Sequence, residues 1–230
     1  MRPRFDAVLF DAGGVLVLPD PTVLGPLLAP FGGDPSIEAH RRAHYFAMAN
    51  KSRAIVGEAD WHEYDLAYVE SVGVRVDDRE HAAVVLGRTR HALLWRWPIP
   101  ESMETLVELA AAGVPMGVVS NASGQIEMQL GRSGICQVGA GTCTPVLCIV
   151  DSHVVGVAKP DPRIFEHALP CFPGVAPERI VYVGDSVTMD IGGAAAAGLH
   201  PILIDPYDDH VDADFERIRS LRELPAMLTA

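Results

Sequence analysis

Along this chain, short apolar runs of strand length take turns with longer stretches whose apolar residues fall at helical spacing. Residues 5–11, Phe-Asp-Ala-Val-Leu-Phe-Asp, form an apolar run that ends on a carboxylate and meets Gly13-Gly14, the pattern of a buried strand entering a tight loop. Residues 101–112 place Met103, Leu106, Leu109 and Ala110 on one helical face and stop at Gly113. Residues 115–120 then read as strand and 123–130 as helix. A weaker strand at 146–150 precedes a helix at 162–169, a strand at 179–184 precedes a helix at 187–197, and 200–205 is the last strand. Strands alternating with helices imply βαβ crossovers and an α/β class: a Rossmann-like, doubly wound, mainly parallel sheet whose ligands bind beyond the carboxyl ends of its strands.

Residues 17–95 break the rhythm. They are richer in His, Arg, Tyr and Trp, show helical patterning at 37–55 and 60–72, and contain no clear strand. This predicts an α-helical cap at 17–95 inserted into a core made of 1–16 and 96–230. Within it, Trp61, Tyr64, Tyr45, Met48 and His44 fall in stripes that ordinarily pack a helix onto its neighbours and only secondarily line an apolar pocket.

Composition narrows the function classes. With 230 residues, 49% of them hydrophobic, the chain can bury a full core. A formal net charge of −12 disfavours nucleic acid and anionic membranes as partners, so an anionic substrate requires a local positive site. No stretch approaches the ~20 apolar residues of a bilayer span. Met1-Arg2-Pro3-Arg4 leads into the first strand without the apolar stretch of a signal peptide, so the expected location is cytoplasmic. Cys136, Cys143, Cys148 and Cys171 form no Cys-x-x-Cys pair and read as reduced thiols rather than zinc ligands. The only lysines are Lys51 and Lys159.

Four polar motifs stand at predicted strand ends: Asp11-Ala12-Gly13-Gly14-Val15, Val119-Ser120-Asn121, Lys159-Pro160-Asp161, and Gly184-Asp185-Ser186-Val187-Thr188-Met189-Asp190. Each alone is an ordinary cap or turn. Gathered at one rim, they supply a carboxylate nucleophile, carboxylates for a hard cation, and hydroxyl and ammonium donors for phosphate oxygens, the parts that phosphoryl transfer needs.

In this set and order the motifs resemble the haloacid dehalogenase superfamily, over residues 5 to about 18 and about 96 to 205. The resemblance implies a Mg²⁺-dependent phosphohydrolase acting on a small phosphorylated metabolite. It makes Asp11 the nucleophile that forms an aspartyl-phosphate and Lys159 the charge-neutralising lysine. Ser120, Asn121 and Lys159 become the phosphate-binding groups, and Asp11, the Gly13 carbonyl and Asp185 the Mg²⁺ ligands, with Asp190 in support. It also implies that the helical cap moves and closes over the substrate. Removing the Lys159 charge is then expected to weaken phosphate binding and turnover while the fold stays intact.

One position departs from the family pattern. Its phosphatases usually carry a second Asp two residues after the nucleophile as general acid and base, where this chain has Gly13. Asp20 is the nearest substitute in sequence and His153, shortly before Lys159, a further candidate proton donor, although Asp20, between prolines, also suits a helix cap and His153 a solvated turn. The family's phosphonate hydrolases, which have a small residue here and a reactive cap lysine, offer a second reading through Lys51, a residue type that on an amphipathic helix usually carries a solvated charge. Metal-free dehalogenation, which has no use for Asp185, is a third reading. A binding or regulatory role with little turnover is a fourth.

Overall fold

The computed structural model describes residues 4–54 and 60–229; Ile55, at the end of the first expected cap helix, and Met1-Arg2-Pro3 lie outside the described residues. The chain opens with β1 (Ala7–Phe10) and β2 (Val17–Pro19), then runs through α1 (Pro21–Leu28), α2 (Ile37–Ala54), α3 (His62–Ser71) and α4 (Arg79–Thr89) before β3 (Trp95–Pro98). It continues with α5 (Pro100–Ala111), β4 (Met116–Ser120), α6 (Ile126–Arg132), β5 (Cys136–Val138), β6 (Thr144–Val146), β7 (Ile149–Asp151), α7 (Ser152–Val155) and α8 (Arg163–Glu166). The last elements are β8 (Ile180–Gly184), a π-helical turn over Val187–Gly192 leading into α9 (Gly193–Ala196), β9 (His200–Ile204), β10 (Arg217–Ile218) and α10 (Leu224–Thr229).

Six strands form one sheet in the order β10-β9-β8-β1-β4-β7, and every neighbouring pair is parallel. Parallel strands covered on both faces read as continuous apolar runs, and β1, β4 and β8 are buried along their whole length. Successive side chains serve opposite faces. Val8, Phe10, Val181 and Val183 join the core cluster under α5, α6 and α10, whereas Ala7, Leu9, Ile180 and Tyr182 join the cluster around α8. From β1 the chain builds outward first through β4 to β7, then returns to the other side of β1 with β8. That reversal makes the carboxyl end of β1 the sheet's topological switch point, where a crevice opens between diverging loops.

The four helices α1 to α4 lie between β2 and β3 and have a core of their own, including Leu24, Leu28, Met48, Tyr64, Tyr68 and Leu86. α1 starts as its sequence suggests. The Asp20 side chain accepts from Thr22 N at 2.9 Å and Pro21 occupies the first helical position, where its missing N–H costs nothing. Residues 17–95 carry no clear strand pattern in sequence, but Val17–Pro19 is a strand. It pairs antiparallel with β3, Val17 opposite Pro98 and Leu18 opposite Trp97, so the helical insertion leaves and re-enters the core on a two-stranded ribbon. Three residues are too few for alternation to register in sequence.

The expected helix at 187–197 also differs in form. It begins with a wide turn, Ile191 N donating to Ser186 O, and only then tightens into α9. Among the described residues no helix is long and apolar enough to cross a membrane.

Candidate active site

Asp11, Ser120 and Asp185 each sit at or just beyond the end of a parallel strand, whereas Lys159 does not. Asp11 follows β1, and its N–H still donates to Val183 O at 2.8 Å, so the carboxylate is carried on the last rung of the sheet ladder. Ser120 ends β4, Asp185 follows β8, and Lys159 comes from the segment between α7 and α8. All four line one cavity of about 470 Å³ at the switch point, together with Gly13, Asn121 and Asp190. The helical insertion and β3 supply part of its wall, notably Met48, Trp61, Arg90 and Trp95.

The carboxylates of Asp11, Asp185 and Asp190 place one oxygen each within 4.8 Å of one another, all buried. Lys159, 2% exposed, is the ammonium among them: its Nζ lies 2.6 Å from Asp190 Oδ1 and 3.0 Å from Asp11 Oδ1. It also donates to the Tyr182 hydroxyl at 2.8 Å. Burial alone would lower the Lys159 pKa, but the charges of Asp11 and Asp190 outweigh it and hold the ammonium firmly protonated. For Asp11 burial dominates. With Asp190 and Asp185 adding to it and Lys159 opposing, the carboxyl is pushed up to about 7. Asp185 is also raised, by burial first, with His44 opposing.

These shifts report surplus negative charge, and the Asp11 Oδ1 atom, buried and, among the described residues, without a hydrogen bond in spite of the ion pair, marks where it is least compensated. Hard oxygen donors with excess negative charge fit Mg²⁺, which takes carboxylate, carbonyl and water ligands.

Asp190 is held more elaborately than its sequence position indicated. The wide turn after β8 aims its carboxylate back at the strand end, where Oδ2 accepts from Asp185 N at 3.1 Å and Ser186 N at 2.9 Å. Oδ1 takes Lys159 and lies 3.0 Å from the Tyr182 hydroxyl. Asp190 therefore anchors both Lys159 and the loop that bears Asp185. Asn121 has a similar duty: its side chain accepts from Lys159 N at 2.8 Å and donates to Lys159 O at 3.0 Å, bracketing the lysine's main chain.

The burial of Lys159 between two carboxylates alters the outcome expected from sequence. Lys159→Met should not leave the fold untouched, because it strands two buried acids. Loss of one partner of a buried ion pair costs about 3–5 kcal/mol. Denaturant unfolding should show that loss alongside weaker phosphate binding, and an unchanged midpoint would show that Asp11 and Asp190 do not need the lysine.

Other sequence candidates end up elsewhere. Asp20 caps α1 and is paired with Arg96 at 2.7 Å. Burial raises its pKa, yet the hydrogen bonds from Thr22 and Arg96 win and the net shift is downward, so it is held as a carboxylate. His153 is exposed beside Gly124, and its N–H caps onto Asp151. Neither lines the cavity. Lys51 is not a solvated surface charge: it is 4% exposed and its Nζ sits 3.6 Å from the centre of the Trp61 ring. Of the aromatic stripe, Trp61 and Met48 face the cavity while Tyr45, Tyr64 and His44 are buried behind it.

A family profile described as haloacid dehalogenase-like hydrolase matches residues 5–198. The chain belongs to that family.

Among its curated relatives in the family are a phosphoserine phosphatase of Thermus thermophilus, 34% identical over 134 residues, 56% of this chain and 51% of the relative. A haloacid dehalogenase-like hydrolase domain-containing protein 3 of Danio rerio is 38% identical over 133 residues, again 56% of this chain and 51% of the relative. A glyceraldehyde 3-phosphate phosphatase of Methanothermobacter thermautotrophicus is 38% identical over 108 residues, 46% of this chain and 44% of the relative. The chain thus spans about half the length of the curated relatives it matches. Among solved structures, a HAD phosphatase of Thermococcus onnurineus superposes with a TM-score of 0.59 at 23% identity, covering 99% of this chain and 98% of that one. The HAD-hydrolase YfnB of Bacillus subtilis, bound to magnesium, gives 0.62 at 18% identity over 100% of both chains. At these identities the structural likeness establishes the fold.

Against the family pattern, the space above Gly13 is filled rather than vacant. A Cβ at Gly13 would lie 3.1 Å from Cζ3 and 3.3 Å from Cε3 of Trp95. The indole, from the ribbon that closes the insertion, stands where the family's usual second aspartate would project. Trp95, Tyr182 and Arg90 line or brace the site without a signal in the sequence. Tyr182 lies inside an apolar strand run that masks a polar duty, Trp95 starts the short β3, which shows no strand pattern in sequence, and Arg90 stands at a helix end that reads as solvated.

Proposed function

We propose that the protein is a Mg²⁺-dependent phosphohydrolase that acts on a small phosphorylated metabolite through an aspartyl-phosphate on Asp11. The observation that carries this reading is the position of the Asp11 carboxylate at the switch point, beside Lys159 and within the acidic cluster, in a cavity also lined by Ser120. In it, an Asp11 oxygen forms a bond to phosphorus as the bond to the leaving oxygen breaks. The leaving group departs with the electron pair and, since Gly13 offers no proton, as an anion. Water then attacks the same phosphorus, releasing phosphate and restoring the carboxylate.

Lys159 and Ser120 hold the phosphoryl oxygens, Asn121 fixes the lysine's main chain, and Asp190 aims its ammonium. Asp11, the Gly13 main-chain carbonyl and Asp185 are the groups that would hold Mg²⁺. When bound, the cation offsets repulsion between the anionic nucleophile and the phosphoryl group. The insertion serves as a cap, which its share of the cavity wall supports. The phosphatase names of relatives from Thermus and Methanothermobacter favour small phosphorylated metabolites over haloacids. A cytoplasmic location accords with four cysteines, none in a disulfide.

The test is phosphate release from a panel of phosphorylated metabolites with Mg²⁺ and with excess chelator. Release from at least one of them that stops in chelator is expected. Release indifferent to chelator would remove the cation from the reading, and no release from any substrate would favour a binding role.

A further inference from the structure

One of the three clustered carboxylates is held from outside the sheet core. Asp190 takes its hydrogen bonds from Lys159, from the Tyr182 hydroxyl and from the loop after β8, and Asp11 faces Lys159. The hydrogen bond to the Asp185 side chain comes instead from His44 of α2, 141 residues away in sequence, whose Nε2 lies 2.9 Å from Asp185 Oδ2. His44 has no exposed surface, and its other nitrogen, Nδ1, lies 2.9 Å from the Tyr64 hydroxyl of α3. An ionised carboxylate only accepts, so Nε2 carries the hydrogen of that bond. In the tautomer with its hydrogen on Nε2 alone, Nδ1 accepts from the tyrosine. The chain of donors therefore runs from Tyr64 through His44 to Asp185, out of the helical insertion and into the acidic cluster.

The surroundings hold this arrangement rigidly. Trp95 and Tyr45 meet the imidazole edge-on, each with ring centres 5.2 Å from it. Tyr45, the next residue, donates from its hydroxyl to Gly14 O at 2.7 Å. Gly14 has φ +66, and a Cβ there would fall 1.9 Å from Asp185 Oδ2 and 2.8 Å from His44 Nε2. The loop that follows the nucleophile is thus packed directly on the His44–Asp185 pair. Only a residue without a side chain fits there.

We propose that His44 is a positioning residue that couples the helical insertion to the cation site: by fixing the Asp185 carboxylate, it makes docking of the insertion and binding of Mg²⁺ each favour the other. The inference rests on the reading that Asp185 binds Mg²⁺. Its physical basis is that a ligating carboxylate oriented by an outer hydrogen bond loses less freedom on binding the metal. Partners of this kind are typically worth about 10–100-fold in metal affinity. Linkage makes the effect reciprocal. The factor by which the docked insertion tightens Mg²⁺ binding is the factor by which Mg²⁺ shifts the insertion toward docking.

The experiment is calorimetric titration of the full chain with Mg²⁺ alone, without substrate, paired with amide hydrogen exchange of α2 and α3 with and without the ion. His44→Ala should weaken Mg²⁺ binding by about 10–100-fold and abolish the Mg²⁺-dependent protection of α2. His44→Gln keeps a donor amide and should recover part of the affinity; it also stands in if the alanine variant does not fold. Tyr64→Phe, which removes the donor to Nδ1, should give an intermediate loss. A purely structural role would lower the melting temperature of these variants while leaving the Mg²⁺ dissociation constant of the folded protein unchanged. Wild-type protein that binds no Mg²⁺ would overturn the cation reading and the coupling with it. Wild-type binding that the His44 variants reproduce, or exceed, would overturn the coupling alone.

Discussion

Asp11→Asn is expected to reduce phosphate release to background, a loss of roughly 10³-fold or more, because the amide keeps the shape of the side chain but has no anionic oxygen with which to form the phosphoenzyme. The fold should survive. The substitution removes one of three crowded negative charges, from the group that burial and its neighbours already push up to about 7, and Lys159 retains Asp190 as a partner. Circular dichroism and thermal unfolding of the variant separate loss of chemistry from loss of structure. A folded Asp11→Asn protein with wild-type turnover would eliminate the aspartyl-phosphate route.

The second large effect concerns the leaving group. A general acid is worth roughly 10²–10⁴ in rate. No such acid stands at Gly13, so aryl and acyl phosphates should be hydrolysed faster than alkyl phosphates by a factor in that range. The sequence-level substitutes do not fill the gap: Asp20 is locked to Thr22 and Arg96, and His153 does not line the cavity. Gly13→Asp alone is not the right repair. The backbone at Gly13 is not left-handed, so a side chain is conformationally acceptable, but Trp95 stands 3.1 Å from its first carbon and would have to move. Gly13→Asp combined with Trp95→Ala is the variant expected to gain alkyl phosphate turnover. Steady-state rates on matched aryl and alkyl phosphates decide the matter. Near-equal rates in the wild type would mean that another group delivers the proton, and His91, which lines the same cavity, would be the next residue to replace.

Much of this protein could be read along the chain. The alternation of apolar runs with helical spacing predicts the parallel sheet because both signals are local: a strand buried on two faces must be apolar throughout, and a helix that covers it must be apolar on one side. Asp11, Ser120 and Asp185 were legible for the same reason, and Lys159 joins them from the loop between α7 and α8. In a parallel sheet the carboxyl ends of all strands share one rim, so residues far apart in sequence can be placed together without knowing a single side-chain contact.

What the tertiary structure alone decided is every feature that depends on which surfaces meet. The approach of α2 puts His44 on Asp185, and no pattern around residue 44 distinguishes that histidine from one that merely packs. The closing ribbon sets Trp95 over Gly13, and the aromatic neighbourhood of Trp61 buries a Lys51 that its own helix suggests is solvated. Likewise, the burial of Lys159 between two acids makes the lysine expected to bind phosphate a structural ion-pair partner as well. Strand ends are fixed by local periodicity and sheet topology. Pairings between the insertion and the core are fixed by the docking of two separately packed hydrophobic clusters, and the energy of that docking is spread over contacts that no short stretch of sequence contains.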